Sequence, residues 1–304
     1  MNFRKQNPIN EQKRATFGLA LITAIVVIPV LLIIGVVFAK GISVIDWNFL
    51  TTVPTNGLRE GGVFPAIIGT LILVVLDVAI CVPFGVATAI YLVEYSPRSK
   101  AANLVRLAIL NLAGVPSVVY GLFGLGVFVI ALEFGASILS GVLTLALMGL
   151  PVIVTSAAEA LRAVPDRFRE ASLALGASKW QTTRHVVLPN STQGILTGTI
   201  LEISRTAGET APILFTVAAF YLPRLPQSIF DQVMALPMHL FAISTQVPNI
   251  GLDVRYAVAL TLLFLVLGVN AIAIYIRSKM RKNKKQKTCF PLSLIHISEP
   301  TRPY

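Results

Sequence analysis

Residues 166–190 read DRFREASLALGASKWQTTRHVVLPN, a polar and charged stretch set between two long apolar runs. Inside it stand Glu170-Ala171-Ser172, Gly176 after three further residues, Val186 after nine more, and then Leu188-Pro189. Pro165 suits the first turn of a helix, where its missing N–H is not needed, and Asp166 follows at the positive end of the helix dipole. Arg167–Leu175 is built of good helix formers, and Gly176 permits a turn. Phe168, Ala171 and Leu175 recur at helical spacing, so the reading predicts a short helix with one apolar face. Such a face at a water boundary needs cover, either lipid beneath an interfacial helix or a second protein.

The flanking runs set the class. The 304 residues are 55% hydrophobic and 13% charged, with mean hydropathy +0.77. Soluble domains carry about twice that share of charge. Apolar runs of roughly 20 residues cross a membrane, and six are predicted here: Thr16–Ala39, Ala66–Leu92 interrupted by Pro83 and Gly85, Leu107–Leu132 with Pro116 inside, Ala136–Ala158, Ser191–Ala218 and Tyr256–Ile276. The expected molecule is all-α and polytopic. The first run is too long for a signal-peptide core and lacks a clear cleavage site, so it is read as retained.

Basic residues orient the spans. With the N-terminus in the cytoplasm, 19 Lys and Arg fall inside and four outside, namely Lys40, Arg59, Arg224 and Arg255. The inside set includes Arg4, Lys5, Arg98 and seven residues of Arg277–Lys287. This bias fits the positive-inside rule, puts both termini and the 166–190 loop in the cytoplasm, and explains the +11 charge without nucleic acid. Two longer outside segments, Gly41–Pro65 and Tyr221–Val254, could meet an external partner or serve as ordered linkers. The expected organisation is a cytoplasmic segment at 1–15, a first helix at 16–40, a five-helix body at 64–277 with its cytoplasmic loop at 159–189, and a basic end at 278–287. Residues 288–304 have no sustained period and are expected to be foreign to the fold.

Charge inside the fifth run is the second informative feature. Glu202, Arg205 and Glu209 are spaced by three and four, so they share one helical face. Each charge at the centre of a membrane costs about 2.5–3.5 kcal/mol on insertion scales, so this face should turn toward the bundle interior or a wet path. Gly208 and Pro212 loosen the helix beside it. In one reading, Arg205 is locked between two carboxylates and fixes the bundle. In the other, its donor fork meets an anion, while the acids keep binding weak enough for release. Both stand. Asp77 is a further intramembrane acid, open to a structural or a pathway role. Ser117 and Tyr120 could line a path or serve packing, and Glu159 and Arg162 have the spacing of a helical ion pair.

Absences narrow the chemistry. No G-x-x-x-x-G-K-[ST] stretch provides a nucleotide loop. Cys81 and Cys289 make no disulfide framework, and His185, His239 and His296 are scattered. No catalytic constellation, metal site or cofactor is expected.

The 166–190 pattern resembles the EAA signature of ABC importer permeases, with Ser172 and Val186 as conservative departures. In that family the loop is a short cytoplasmic helix that docks into a groove on a separate ATPase. Arg205–Pro212 (RTAGETAP) resembles the Arg-x-x-Gly-Glu-Thr-Ala-Pro segment of phosphate-importer permeases of the PstA type. Gly85–Tyr95 (GVATAIYLVEY), Ala113–Gly124 (AGVPSVVYGLFG) and Ala235–Phe241 (ALPMHLF) are similar to that family too, and the likeness covers about residues 14–287. The resemblance implies a type-1 ABC importer (MetI-like) fold in the cytoplasmic membrane of a bacterium or archaeon. It implies uptake of inorganic phosphate, with a PstC-like second permease, a PstB-like ATPase dimer and a PstS-like binding protein outside. It would place Glu170, Ala171, Gly176, Leu188 and Pro189 in ATPase coupling, and Arg205, Glu202, Glu209, Thr206 and Asp77 along the substrate pathway. The alternatives are a permease for molybdate or sulfate, an ion-coupled secondary transporter suggested by the intramembrane acids, and a phosphate-sensing scaffold.

Overall fold

The computed structural model describes residues 8–96 and 99–288. Arg4, Lys5, Arg98 and the tail from Cys289 onward, all weighed above, lie outside the described residues. The described chain is helical apart from one antiparallel pair of two-residue strands, β1 (Pro54–Thr55) and β2 (Glu60–Gly61). Four helices are long and apolar enough to cross a membrane: α1 (Pro8–Gly41), α3 (Phe64–Ile90), α6 (Ile138–Arg162) and α12 (Leu252–Thr288). Between α1 and α3 lies the short α2 (Trp47–Thr51).

α6 is the hub. Its apolar stretch is 67% buried, against 0% for α1. It packs on α3 along Leu145, Met148, Val154 and Ala157. α1 packs mainly along α12, with Phe38 edge-on to Phe264 and Lys40 over the Tyr256 ring. The flank of α1 exposes Leu21, Ile25, Leu32 and Ile33, the signature of a helix solvated by lipid.

Three predicted spans need correction. The run at 64–95 is not interrupted: α3 continues through Pro83 and closes in a π-helical turn at Tyr91–Tyr95. The run at 107–132 is not one rod. It splits into α4 (Lys100–Ala113) and α5 (Ser117–Gly124), the latter extended by a π-helical turn at Leu125–Ala131, and the two are bent by 106°. The break falls where Pro116 offers no N–H and disfavours helix at Val115. The Tyr120 hydroxyl then donates to the Leu112 carbonyl at 2.9 Å across the break, a structural role for Tyr120.

The predicted fifth span also divides, into α9 (Leu188–Gly208) and α10 (Ala211–Thr216). α9 is long enough at 21 residues but falls short of the other spans in apolar character. It tolerates its polar residues because Thr192, Thr197, Thr199 and Ser204 each return a hydroxyl to the carbonyl four residues earlier. α3, α6 and α12 cover its flanks.

The two long connecting segments fold against each other. Phe49, Leu58 and Val63 pack with Met234, Leu236 and Ile243, the last two on α11 (Leu236–Thr245). In the second segment the Asp231 carboxylate accepts from the Gln227 and Ser228 N–H groups at 2.8 and 3.2 Å, which holds it below the usual carboxylate range. These segments are ordered parts of the core, whatever else they contact.

Candidate functional site

The intramembrane charges separate into two groups. Glu202 is fully buried and turns from Arg205 toward α3, where Asp77 is equally buried. Thr206 stands between them: its Oγ1 is 2.6 Å from Asp77 Oδ2 and 3.3 Å from Glu202 Oε1. One hydroxyl has one proton, so the short contact takes it and Asp77 is the stronger partner. Asp77 Oδ1 and Glu202 Oε2 have no hydrogen-bond partner among the described residues. Gly149 of α6 makes room for this head-group, because a Cβ there would collide with the Glu202 carboxyl and press on Cys81 Sγ.

Arg205 is therefore not locked between two carboxylates. Its Nε donates to Glu209 Oε1 at 3.2 Å, and its side chain is 34% exposed against 17% for Glu209. The reason is the helix end. α9 stops at Gly208, and Glu209 adopts an extended conformation that leaves the face its spacing predicts. Two further contacts moor α9 to α12: Ser204 Oγ to Asn270 Oδ1 at 2.7 Å and Arg277 Nη1 to Thr197 Oγ1 at 3.0 Å. With one flank of α9 held at Asp77 and another at Asn270, the partly exposed Arg205 and its partner Glu209, just past the helix end, are the charges left available there. It can present a partly neutralised guanidinium to an anion.

The 166–190 loop forms α7 (Asp166–Ala174) and α8 (Lys179–Thr182), and a π-helical turn at Thr183–Val187 leads into α9. Pro165 caps α7 from outside its first turn, its carbonyl accepting from Phe168 N–H at 3.1 Å. Gly176 has φ +83°. There Gly176 N–H bonds the Leu173 carbonyl at 2.9 Å and Ala177 N–H the Ser172 carbonyl at 3.2 Å, a Schellman closure. Ser178 and Gln181 then form a capping box that starts α8. α7 buries nothing. Phe168, Leu173, Leu175 and Trp180 stay exposed, Leu175 at 89%, and Glu170 and Ala171 lie among them. Leu188 and Pro189 sit elsewhere, half-buried in the first turn of α9, next to the fully buried Val187.

Arg169 was counted in the sequence only as a positive charge, yet it organises the loop. Its Nη2 is 2.9 Å from Glu94 Oε1, and Nε is 3.2 and 3.3 Å from the two Glu94 oxygens. Nη1 donates to the Val164 carbonyl at 2.6 Å and to Asp166 at 3.0 Å, and Nη2 to the Leu161 carbonyl at 2.8 Å. The available signal was Glu94, an acid closing an apolar span with no partner nearby in sequence. The predicted Glu159–Arg162 pair does not form among the described residues. No group of three or more His, Cys, Asp or Glu among the described residues could hold a metal.

Comparison with known proteins gives a consistent picture. Residues 81–282 match the family described as binding-protein-dependent transport system inner membrane component. The chain is 38% identical over 257 residues to the phosphate transport system permease protein PstA of Mycobacterium leprae, covering 81% of this chain and 82% of that protein. It is 33% identical to the probable ABC transporter permease protein YqgI of Bacillus subtilis, covering 77% and 83%. Among solved structures, it is similar to a bacterial alginate ABC importer, with TM-score 0.64, 13% identity and coverage of 90% of this chain and 99% of that chain. It is also similar to the inward-facing MetNI methionine ABC transporter, with TM-score 0.55, 16% identity and coverage of 72% and 94%.

Proposed function

The chain belongs to the family of binding-protein-dependent transport system inner membrane components, and from that premise we propose that it imports inorganic phosphate as one permease subunit of an ATP-driven transporter. It is a multi-pass inner-membrane transport subunit of the MetI-like fold, not an enzyme. One observation carries the substrate reading. Arg205, on the segment that resembles PstA-type permeases, stands one-third exposed at a helix end and is paired with one acid among the described residues. A guanidinium offers phosphate a rigid fork at any relevant pH. Glu209 competes for that fork, which favours release.

The motor lies elsewhere. The uncovered apolar face of α7 and α8, with Glu170 among its exposed residues, suits the groove of an ATPase. The partners of this reading are a PstB-like ATPase dimer in the cytoplasm, a PstC-like permease beside this one and a PstS-like phosphate-binding protein outside. Both termini lie in the cytoplasm.

The test is phosphate uptake by cells carrying Arg205→Gln, with membrane abundance measured alongside. Loss of flux at unchanged abundance is expected; loss of abundance with flux per molecule intact would make Arg205 a purely structural residue. Competition by molybdate and sulfate in the same assay separates the oxyanions.

A further inference from the structure

Helix α3 carries two acids that are held from opposite directions. Near its cytoplasmic end, Glu94 is gripped by Arg169 through three contacts of 2.9 to 3.3 Å, with side-chain exposures of only 8% and 17%. Further along, Asp77 is held by the Thr206 hydroxyl at 2.6 Å, one residue from Arg205. The helix runs unbroken between them, through Pro83 and into the closing π turn. Seventeen residues of helix span about 25 Å.

We propose that α3 is a two-ended link: Arg169 couples the docking loop to Glu94, and Asp77 couples α3 to Thr206, so that displacement of α7 repositions Arg205. The inference deepens the function proposed above and rests on it. Arg169 and Glu94 are positioning residues, since neither is placed to touch the anion. The guanidinium also holds the Leu161 and Val164 carbonyls at the end of α6, so the loop grips the two helices of the central bundle together. Packed elements with discrete polar clasps move as bodies and carry coupling over such distances. The chain offers a competing route, because α8 leads into α9 through the π turn at Thr183–Val187. Removing the Glu94 clasp leaves that covalent route intact, and this separates the two.

Glu94→Gln is the decisive variant, because Glu94 lies behind the docking face and its loss leaves the exposed surface of α7 unchanged. The complete transporter, reconstituted in proteoliposomes, is assayed for ATP hydrolysis and phosphate uptake per assembled complex. Hydrolysis is expected to persist while phosphate moved per ATP falls by about 5-fold or more, the low end of ordinary coupling between sites. An unchanged ratio overturns the link, whatever the abundance, since a merely stabilising ion pair alters the number of complexes and not their stoichiometry. Should Glu94→Gln fail to assemble, Arg169→Lys carries the same test: the ammonium keeps the charge but lacks the planar fork that spans Glu94 and the two carbonyls through Nε, Nη1 and Nη2, and an unchanged ratio again overturns the link. If the wild type carries sulfate or molybdate instead of phosphate, the substrate reading fails on that control, and the same ratio taken with that anion still judges α3.

Discussion

At the scale of single residues, Thr206 has the most to lose. Its hydroxyl holds the fully buried Asp77 carboxyl at 2.6 Å, the one side-chain partner Asp77 has among the described residues. Thr206→Val keeps the shape and strips the proton, leaving a buried acid unpaired at a cost of about 1–3 kcal/mol. The unfolding midpoint in detergent should fall for Val and stay near wild type for Thr206→Ser. His239, on α11 outside the membrane-crossing helices, gives a pH signature. It is buried, and burial pulls its imidazole down to about 4. A depressed histidine means the unfolded chain binds the extra proton first. Stability should therefore be full above the ordinary histidine value of about 6.5 and decline as pH falls from there to about 4. His239→Gln should flatten that part of the stability–pH curve. The sequence displayed Glu202, Arg205 and Glu209 plainly, yet not their partners. Asp77 lies 129 positions from Thr206, and no spacing rule reaches across a fold. Of the two readings of Arg205, the one that locks it between two carboxylates failed because it assumed a helix that in fact stops at Gly208.

At the scale of elements, the 166–190 loop was the most legible part. Its turn residues are local devices, and Gly176 stands at φ +83° where a glycine was expected to turn the chain. Gly176→Val forces a β-branched residue into the left-handed region, at about 1–2 kcal/mol, and should loosen the junction of α7 and α8. Hydrogen exchange of the Gly176 and Ala177 amides should report that loosening. Leu175→Asp acts differently. The side chain is 89% exposed, so folding and abundance should hold. Capture of the ATPase by the affinity-tagged permease should drop, and unchanged capture would argue that this face meets lipid. The broken third span was less legible. Pro116 marked the place, but neither the 106° bend nor the Tyr120 hydroxyl that bridges it to Leu112 can be read from spacing. Pro83 marked a place too and bends nothing to the point of breaking, because packing on α6 holds α3 together.

At the scale of the whole molecule, hydropathy gave the membrane class and the long helices, while polarity blurred α9, whose hydroxyls are satisfied within its own backbone. The proposed orientation is open to labelling. In sealed right-side-out vesicles, a cysteine replacing Trp47, which is 78% exposed, should react with an impermeant maleimide. One replacing Leu175 should react only after lysis, and the reverse pattern would invert the topology. The longest helices add a constraint of their own. α1 has 34 residues and α12 has 37, about 51 and 56 Å at the α-helical rise, against a hydrocarbon layer of about 30 Å. They run antiparallel, since Gly41 meets the backbone of Tyr256. Their surplus turns therefore emerge on the same side, carrying Lys13 and Arg14 on one and Arg277 and Lys279 on the other. Cations at that height suit lipid phosphates, an anchorage that would set the depth of this helix pair and make it a mast beside which the inner bundle can tilt.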